Sequence, residues 1–229
     1  MVIIMLYDVV TNFTRPSAEL LGRFRTMQAA TLHEAMDKRG ALNCGIRPAW
    51  PMPNLCGCAL TVQSKPGDNL MLHKAVSVAK PGDVLVVTTG GYLEAGIWGE
   101  IITVAAIAKG IRGIVTDGAV RDTVPIKTLN FPMFSRGISM KGTTKMTPGK
   151  IGVPVVIGDV LVNPGDIVVG DNDGVVVVPL AEAEAVLGAA IEKEAAEAAV
   201  MDKIRSGEST MDIMGFQKMY DMLKLNEQI

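Results

Sequence analysis

The sequence has few of the residues that build common catalytic centres. It contains two histidines and three cysteines in 229 residues, too few for a multi-histidine metal site or a disulfide framework. Aromatic residues make up 4% and the net charge is −2, so neither a base-stacking platform nor a basic phosphate-binding face is expected. Any chemistry must use carboxylates, arginine, backbone amides and a hard metal ion, and nucleic acid is not an expected partner.

Long apolar runs are also missing. No segment approaches the roughly 18 apolar residues that a membrane helix needs. The N-terminal stretch MVIIMLYDVV is interrupted by Asp8 and lacks a basic lead region and a small-residue cleavage site. It is therefore predicted to be part of the folded protein rather than a signal peptide. Because three unpaired cysteines fit a reducing compartment, we expect a cytoplasmic protein without membrane contact.

The composition that remains is that of a protein with a large core, with 48% hydrophobic and 20% charged residues. At roughly 100 to 200 residues per domain, the length allows one large domain or two small ones. No low-complexity linker divides the chain. We therefore predict a single domain over residues 1–229.

The first half of the chain alternates strand and helix patterns. A helix is predicted after Ser17, and the T-x-x-E pair Thr31 and Glu34 predicts a capping box at the start of a second helix that stops near Gly40. Strands are then predicted at 58–63, 84–89 and 113–118, and helices at 69–79 and 99–109. This order indicates strand-helix-strand units.

The second half has a different pattern. Residues 153–179 contain three β-branched runs separated by Pro-Gly-Asp and Asp-Asn-Asp-Gly turns, which predicts antiparallel hairpins. The second turn includes Asp171 and Asp173, which suit a hairpin better than a calcium loop. Residues 181–205 predict a helix, and a final Met-rich helix follows Ser206-Gly207. These C-terminal helices, about 181–229, are expected to pack on the chain's own core or on a neighbouring subunit.

Residues 90–126 contain the side chains that we expect to bind a ligand. The loop at Gly90-Gly91 and the turn that contains Asp117, Arg121 and Asp122 both follow predicted strands, where ligands of α/β sheets gather. An arginine beside an aspartate offers a fork for an oxyanion and a hard oxygen ligand for a metal. Taken alone, the pair is more typical of a salt bridge in a turn.

Three other positions have competing interpretations. Cys56 and Cys58 are expected to be buried packing residues rather than metal ligands. His73 is predicted to lie in the core or an interface, with the pocket as the alternative. Trp98 is expected either to line a substrate cavity or to pack at the start of the following helix.

One motif carries a resemblance to a known family. Glu100 is followed by twenty residues and then Arg121-Asp122, in the context W-G-E and D-G-A-V-R-D. Together with GDNLMLHKAVSVAKPGDVLVV, VNPGDIVVGDNDGVVVVP and KIRSGES, this motif resembles the RraA-like superfamily and, within it, class II 4-hydroxy-4-methyl-2-oxoglutarate / 4-carboxy-4-hydroxy-2-oxoadipate aldolases. Some members have Asp where this chain has Glu100. The superfamily's regulators of ribonuclease have no aspartate at the position of Asp122. The aspartate in this chain therefore favours an aldolase.

The resemblance implies a fold and an assembly. The fold would be an α/β, αββα sandwich of the swivelling β/β/α type. The chain would form a homo-oligomer, a trimer or a hexamer, with active sites at subunit interfaces.

The resemblance also implies roles for particular residues. Asp122 would hold Mg²⁺ or Mn²⁺, and Arg121 would stabilise a pyruvate enolate. The substrate carboxylate would bind to backbone amides of the helix start, namely Gly99, Glu100, Ile101 and Ile102.

Two glutamates would hold the water molecules that accept the proton of the 4-hydroxyl group. Glu100 would position a water molecule, and a glutamate from the neighbouring subunit's C-terminal helix would complete the water network. Its position matches Glu197, with Glu194 as the alternative, although this helix face is also typical of solvent exposure. The same enolate implies oxaloacetate decarboxylation. Competing hypotheses are a noncatalytic regulator of ribonuclease activity and another metal-assisted lyase or hydrolase acting on 2-oxo or dicarboxylic acids.

Overall fold

The computed structural model describes residues 8–51 and 55–223. The helices are α1 (Ala18–Phe24), α2 (Ala29–Ala35), α3 (Leu70–Val78), α4 (Glu100–Ala108), α5 (Thr123–Thr128), α6 (Ala183–Arg205), α7 (Thr210–Ile213) and α8 (Phe216–Met222), with one 3₁₀ turn at Leu180–Glu182. The strands are β1 (Arg47–Pro48), β2 (Leu55–Gln63), β3 (Asp83–Thr88), β4 (Gly96–Trp98), β5 (Gly113–Thr116), β6 (Ala119–Val120), β7 (Met133–Ser135), β8 (Gly137–Ile138), β9 (Lys150–Ile151), β10 (Val155–Ile157), β11 (Val160–Val162), β12 (Ile167–Gly170) and β13 (Val175–Val178). Most of the N-terminal apolar stretch, residues 1–7, lies outside the described residues, as do residues 224–229.

The main sheet changes type at its centre. Its order is β1-β7-β5-β3-β2-β12-β13, with β9 also paired to β2. The pairs from β2 through β3 and β5 to β7 are parallel, whereas β2-β12 and β12-β13 are antiparallel. The predicted change from crossover units to hairpins is therefore confirmed, and β10-β11 forms a separate antiparallel hairpin.

A second, smaller sheet contains β4, β6 and β8, all parallel. Each of these strands follows one strand of the main sheet, since the chain runs from β3 to β4, from β5 to β6 and from β7 to β8. The strands have only two or three residues, too short for a hydrophobic pattern to predict. This small sheet positions the candidate site.

Two apolar clusters hold the layers together. One contains Leu72 of α3, Leu85 of β3 and Trp98 of β4. The other lies under α1, α2 and α6 and contains Leu32 and Leu187. No helix within residues 8–51 and 55–223 is long and apolar enough to cross a membrane.

Two sequence predictions about helix ends are wrong. Thr31 does not cap α2: the helix begins at Ala29, and its N–H donates to Asp171 Oδ2 at 2.9 Å. The Met-rich tail is not one helix, because Gly215, with φ at 66°, separates α7 from α8. The helix after Ser17 is confirmed, with the Ser17 hydroxyl accepting from Leu20 N at 3.1 Å.

Candidate functional site

The candidate site lies where the small sheet ends. Arg121 N donates to the carbonyl of Trp98 at 2.8 Å, and Ser139 N donates to the carbonyl of Val120 at 2.9 Å. The residues after β4, β6 and β8 therefore meet at one edge. Because α4 starts directly after Gly99, this edge also contains the amino terminus of a nine-residue helix.

Asp122 bonds to the start of α4. Its Oδ2 accepts a hydrogen bond from Glu100 N at 3.0 Å, where the helix dipole favours a negative charge. The Asp122 backbone is left-handed, with φ at 56° and ψ at 38°, a conformation that aspartate tolerates better than most residues. Among the described residues nothing donates a hydrogen bond to Oδ1, and 38% of the side chain is exposed. One carboxylate oxygen thus anchors the turn and the other is available to a ligand.

Glycine is required where the two chain segments meet. A Cβ at Gly99 would lie 2.5 Å from Asp122 Oδ2 and 2.9 Å from Arg121 Nε. A Cβ at Gly96 would lie 2.8 Å from Arg121 Cβ and 2.3 Å from the carbonyl oxygen of Ser139. These distances are too short for a real Cβ atom. Gly96 and Gly99 therefore leave the space that Arg121 and Asp122 occupy.

Arg121 is only partly satisfied. Its Nε lies 3.5 Å from Asp122 Oδ2, and this buried nitrogen makes no hydrogen bond in the described part of the chain. A buried donor without a partner costs about 1–3 kcal/mol. Because 39% of the Arg121 side chain is exposed, an anionic ligand can accept hydrogen bonds from the other nitrogens of this guanidinium. The salt bridge proposed as the alternative interpretation is therefore present, but it leaves the other side-chain N–H groups of Arg121 without a hydrogen-bond acceptor among the described residues.

A cavity of about 120 Å³ adjoins Arg121. The residues that line it are Asn69, His73, Gly96, Gly99, Ile101, Ile102, Arg121 and Lys145. The lining contains two cations, Arg121 and Lys145, and no carboxylate. Asn69 Nδ2 donates to the Ile97 carbonyl at 3.1 Å, while its buried Oδ1 accepts no hydrogen bond from the described residues. The cavity is therefore suited to a small anion with hydrogen-bonding groups.

The amides of α4 contribute differently along the first turn. Glu100 N is occupied by Asp122, and Thr103 N donates to the Gly99 carbonyl at 3.1 Å. The amides of Ile101 and Ile102 are the first-turn donors left for a substrate carboxylate. The Glu100 side chain itself is exposed at the helix start.

The Gly-rich loop belongs to another part of the molecule. Asp117 accepts hydrogen bonds from Thr88 Oγ1 at 2.8 Å, Thr89 N at 2.6 Å and Gly91 N at 3.1 Å. The loop lines a separate cavity of about 220 Å³ that also includes Arg136. Gly90 and Gly91 have φ of 68° and 73°, a left-handed conformation that glycine adopts readily. The sequence joined this loop and the Arg-Asp turn in one site, but they follow strands of different sheets.

Glu197 is not among the residues that line the Arg121 cavity of its own chain. It lies in the second half of α6 and pairs with Lys193 at 3.1 Å. Lys193 also pairs with Glu34 of α2. Glu194 is half-buried on the same helix. A role for either glutamate in this site would require a second copy of the chain.

The remaining candidates have structural roles, with one exception. Trp98 is fully buried, its Nε1 donates to Thr103 Oγ1 at 2.7 Å, and it does not line the cavity. Cys56 and Cys58 are buried, and burial raises their pKa values to about 11 and 12. His73 is exposed, so the prediction of a core position is wrong, and it lines the Arg121 cavity, as the alternative interpretation predicted. Its pKa is lowered by partial burial and then by the charge of Lys145.

The donor set fits a hard divalent cation held mainly by water. Within the described residues no group of three or more His, Cys, Asp or Glu side chains could enclose a metal. Mg²⁺ is commonly bound by one or two carboxylates and several waters, and the open oxygen of Asp122 meets that requirement.

Lys145 and Asn69 were not predicted. Asn69 precedes a helix in the segment GDN, and Lys145 lies in an irregular stretch without hydrophobic periodicity. No local pattern distinguishes either residue, because the cavity forms only when α3, α4 and the 140–149 segment come together.

Comparisons with known proteins give a family model and a relative that each match more than half of the chain. The model of the RraA-like family, described as Aldolase/RraA, matches residues 29–177. A protein of Halalkalibacterium halodurans named "Putative 4-hydroxy-4-methyl-2-oxoglutarate aldolase" is 39% identical over 190 residues, which cover 81% of this chain and 90% of the relative.

Two solved structures show the same fold. A crystal structure of an uncharacterized protein from Pseudomonas syringae is 33% identical, with a TM-score of 0.77, and the match covers 86% of this chain and 97% of the other. Streptomyces coelicolor RraAS2, described as an unusual member of the RNase ES inhibitor RraA protein family, is 31% identical, with a TM-score of 0.74, and the match covers 82% of this chain and 100% of the other. The expected α/β fold class is thereby confirmed.

Proposed function

The chain belongs to the RraA-like family, and from that membership and the geometry at α4 we propose that it is a divalent-metal-dependent class II aldolase. Its substrate would be 4-hydroxy-4-methyl-2-oxoglutarate or 4-carboxy-4-hydroxy-2-oxoadipate, cleaved to pyruvate and a second oxo acid. The observation that carries the proposal is the contact between Asp122 and the start of α4, which brings an arginine, a carboxylate oxygen and helix amides to one edge. The relative from Halalkalibacterium halodurans supports the same activity.

The residues have distinct roles in this proposal. The amides of Ile101 and Ile102 bind the substrate's C1 carboxylate, and the guanidinium of Arg121 neutralises negative charge on the 2-oxo oxygen as the enolate forms. Asp122 would hold Mg²⁺ or Mn²⁺, which supplies a Lewis acid for that oxygen. Glu100 accepts the proton of the 4-hydroxyl group through a water molecule. Loss of CO₂ from oxaloacetate generates the same enolate, so decarboxylation is an expected second activity.

Completion of the site by a neighbouring subunit is part of the proposal. The face of α4 and α5 next to the site exposes Ile101 by 81%, Val104 by 52% and Val124 by 76%. No residue of α6 after Ala190 is buried, although this half of the helix contains Glu197. A homo-oligomer, a trimer or a hexamer, would cover the apolar face and bring Glu197 to the water beside Glu100.

The test is pyruvate release, coupled to lactate dehydrogenase and NADH. The protein should convert 4-hydroxy-4-methyl-2-oxoglutarate and oxaloacetate only when Mg²⁺ or Mn²⁺ is present. Asp122→Ala should lower kcat/KM by about 10²- to 10³-fold, as expected for loss of transition-state charge stabilisation. Asp173→Ala, in an exposed hairpin turn, is the matched control and should leave the rate unchanged. Turnover without metal, or no pyruvate from a panel of 2-oxo acids, would contradict the proposal.

The similarity to RraAS2 favours a second candidate, a noncatalytic protein that modulates a ribonuclease. This candidate predicts that a ribonuclease copurifies with the chain and that calorimetry detects no binding of Mg²⁺ or Mn²⁺. The aldolase proposal predicts metal binding that Asp122→Ala removes.

A further inference from the structure

One buried carboxylate fixes the segment that contributes Lys145 to the cavity lining. Asp68 is 1% exposed, and its Oδ2 accepts hydrogen bonds from Thr144 Oγ1 at 2.8 Å, Met146 N at 2.8 Å and Thr147 N at 3.0 Å. Its Oδ1 accepts from Leu70 N at 2.9 Å. Burial by itself raises the pKa of Asp68, but these hydrogen bonds outweigh burial and hold the pKa at about 2. The carboxylate is therefore ionised at neutral pH and binds the segment firmly to the start of α3.

The backbone around Thr144 adds to this attachment. Asn69 N donates to the Thr144 carbonyl at 3.0 Å, and Thr144 N donates to the Gly67 carbonyl at 2.9 Å. The residues on both sides of Lys145 are thus held by hydrogen bonds, although the Lys145 side chain is exposed. Such an arrangement presents one side chain at a defined place on an otherwise irregular segment.

Lys145 is an uncompensated charge at the cavity. It lines the cavity together with Arg121, and its charge lowers the pKa of His73 after the effect of burial, so the two side chains are near one another. No carboxylate in the described part of the chain lies within ion-pair distance of Lys145, whereas the nearby Lys141 pairs with Glu94. A free ammonium group beside an anion site is suited to a second negative charge on the ligand.

In the proposed function, the α4 amides bind one carboxylate of the substrate and Arg121 binds its 2-oxo oxygen. We propose that Lys145 is a specificity-determining residue that binds the second carboxylate of a dicarboxylic 2-oxo acid, and that Asp68 is a positioning residue that holds it at the cavity. This inference rests on the proposed function, because it assumes that the Arg121 cavity binds the 2-oxo acid end. It assigns the preference for diacids to one side chain outside the Glu100-Arg121-Asp122 motif.

The test compares two ligands that cannot be cleaved because they lack a 4-hydroxyl group. 2-Oxoglutarate and 2-oxopentanoate share a five-carbon 2-oxo acid chain and differ only in a terminal carboxylate or methyl group. With Mg²⁺ present, calorimetry of the full chain should give about tenfold tighter binding of 2-oxoglutarate, a ratio equal to about 1.4 kcal/mol. Lys145→Met should remove most of that preference and leave binding of 2-oxopentanoate within about twofold. Lys74→Met, an exposed lysine of α3 outside the cavity lining, should retain it.

Asp68 is tested through its coupling to Lys145. Asp68→Ala should lose the diacid preference, and adding Lys145→Met to it should cause no further loss, because both changes remove the same positioned charge. Asp68→Asn keeps the side-chain volume and one acceptor oxygen, and it should retain more of the preference than Asp68→Ala. Circular dichroism establishes that each variant is folded. A purely structural role would weaken the binding of both ligands equally.

The outcomes separate this inference from the proposed function. An unchanged preference in Lys145→Met, or an equal loss for both ligands, would overturn the inference even if the wild-type chain cleaves 4-hydroxy acids. Absence of pyruvate release with a Lys145-dependent diacid preference would instead contradict the aldolase proposal and support the binding assignment.

Discussion

At the residue scale, Asp122 combines two roles that the sequence could only suggest separately. One oxygen accepts from Glu100 N and fixes the turn against α4, while the other stays available. The left-handed backbone at φ 56° directs the side chain to α4 rather than to α5, the helix that begins immediately after it. An aspartate next to an arginine is readable in the sequence, but its hydrogen bond to a residue 22 positions earlier is not.

Gly99 provides a prediction at the same scale. Gly99→Ala should lower kcat/KM by about 10²-fold, because a Cβ would displace Asp122 and Arg121, and misplacement of catalytic groups by about 1 Å has effects of that size. The φ of −146° is accessible to alanine, so the effect comes from the contact and not from backbone strain. Steady-state kinetics of pyruvate release measure it.

Gly188 provides the control for the Gly99→Ala substitution. Gly188 is an exposed residue of α6, and a Cβ added there would meet no atom within 4 Å. Gly188→Ala should therefore stabilise the chain by about 0.5–1 kcal/mol through helix propensity, with activity unchanged. Unchanged kinetics in Gly99→Ala would mean that the space at Gly99 does not position Arg121 and Asp122.

At the element scale, distant residues decide where helices begin. The T-x-x-E pattern predicts a cap at Thr31, but Thr31 is buried within α2. The β12-β13 turn supplies the acceptor instead, because Asp171 Oδ2 binds Ala29 N while its Oδ1 accepts from Asp173 N at 2.9 Å. A local motif cannot reveal that a hairpin 142 residues later provides the cap.

Asp171→Ala should therefore destabilise the chain by about 1–2 kcal/mol, the usual cost of losing a helix cap. Urea unfolding followed by circular dichroism measures the change. Asp173→Ala alters the same turn without contact to α2 and should stay within about 0.5 kcal/mol of the wild type. Equal stability of the Asp171 variant and the wild type would contradict the capping role.

At the scale of the whole molecule, the C-terminal arm presents an apolar surface to solvent. The arm comprises residues 191–223, and it exposes Met214, Phe216, Met219 and Met222 by half or more. Exposed apolar groups in this number are typical of an interface. We expect this arm to pack on a second copy and to bring Glu197 to the neighbouring site.

Subunit mixing tests this expectation. Asp122→Ala and Glu197→Ala should each have little activity alone, but coexpressed chains should recover about a quarter of wild-type activity, since about a quarter of all sites in randomly mixed oligomers pair two intact halves. Glu192→Ala, on the same exposed helix, serves as the control and should remain active by itself. Mixed oligomers, verified by copurification through a tag on one variant, that remain inactive would place both residues in the same subunit's site. Full activity of Glu197→Ala alone would exclude Glu197.

Local sequence patterns account for the elements with strong periodicity and for the charged residues of the motif. The strands β2, β3 and β5, the helices α3, α4 and α6, and the change to hairpins follow from local hydrophobic patterns and turn residues, which act over a few positions. The resemblance to the RraA-like family identified Glu100, Arg121 and Asp122 as one motif. Packing of distant segments placed the Gly-rich loop and the Arg-Asp turn at the ends of different sheets, gave α2 its cap from Asp171, and brought Lys145 into the same cavity as Arg121. Those outcomes depend on contacts between residues far apart in the chain, which packing creates and local sequence does not encode.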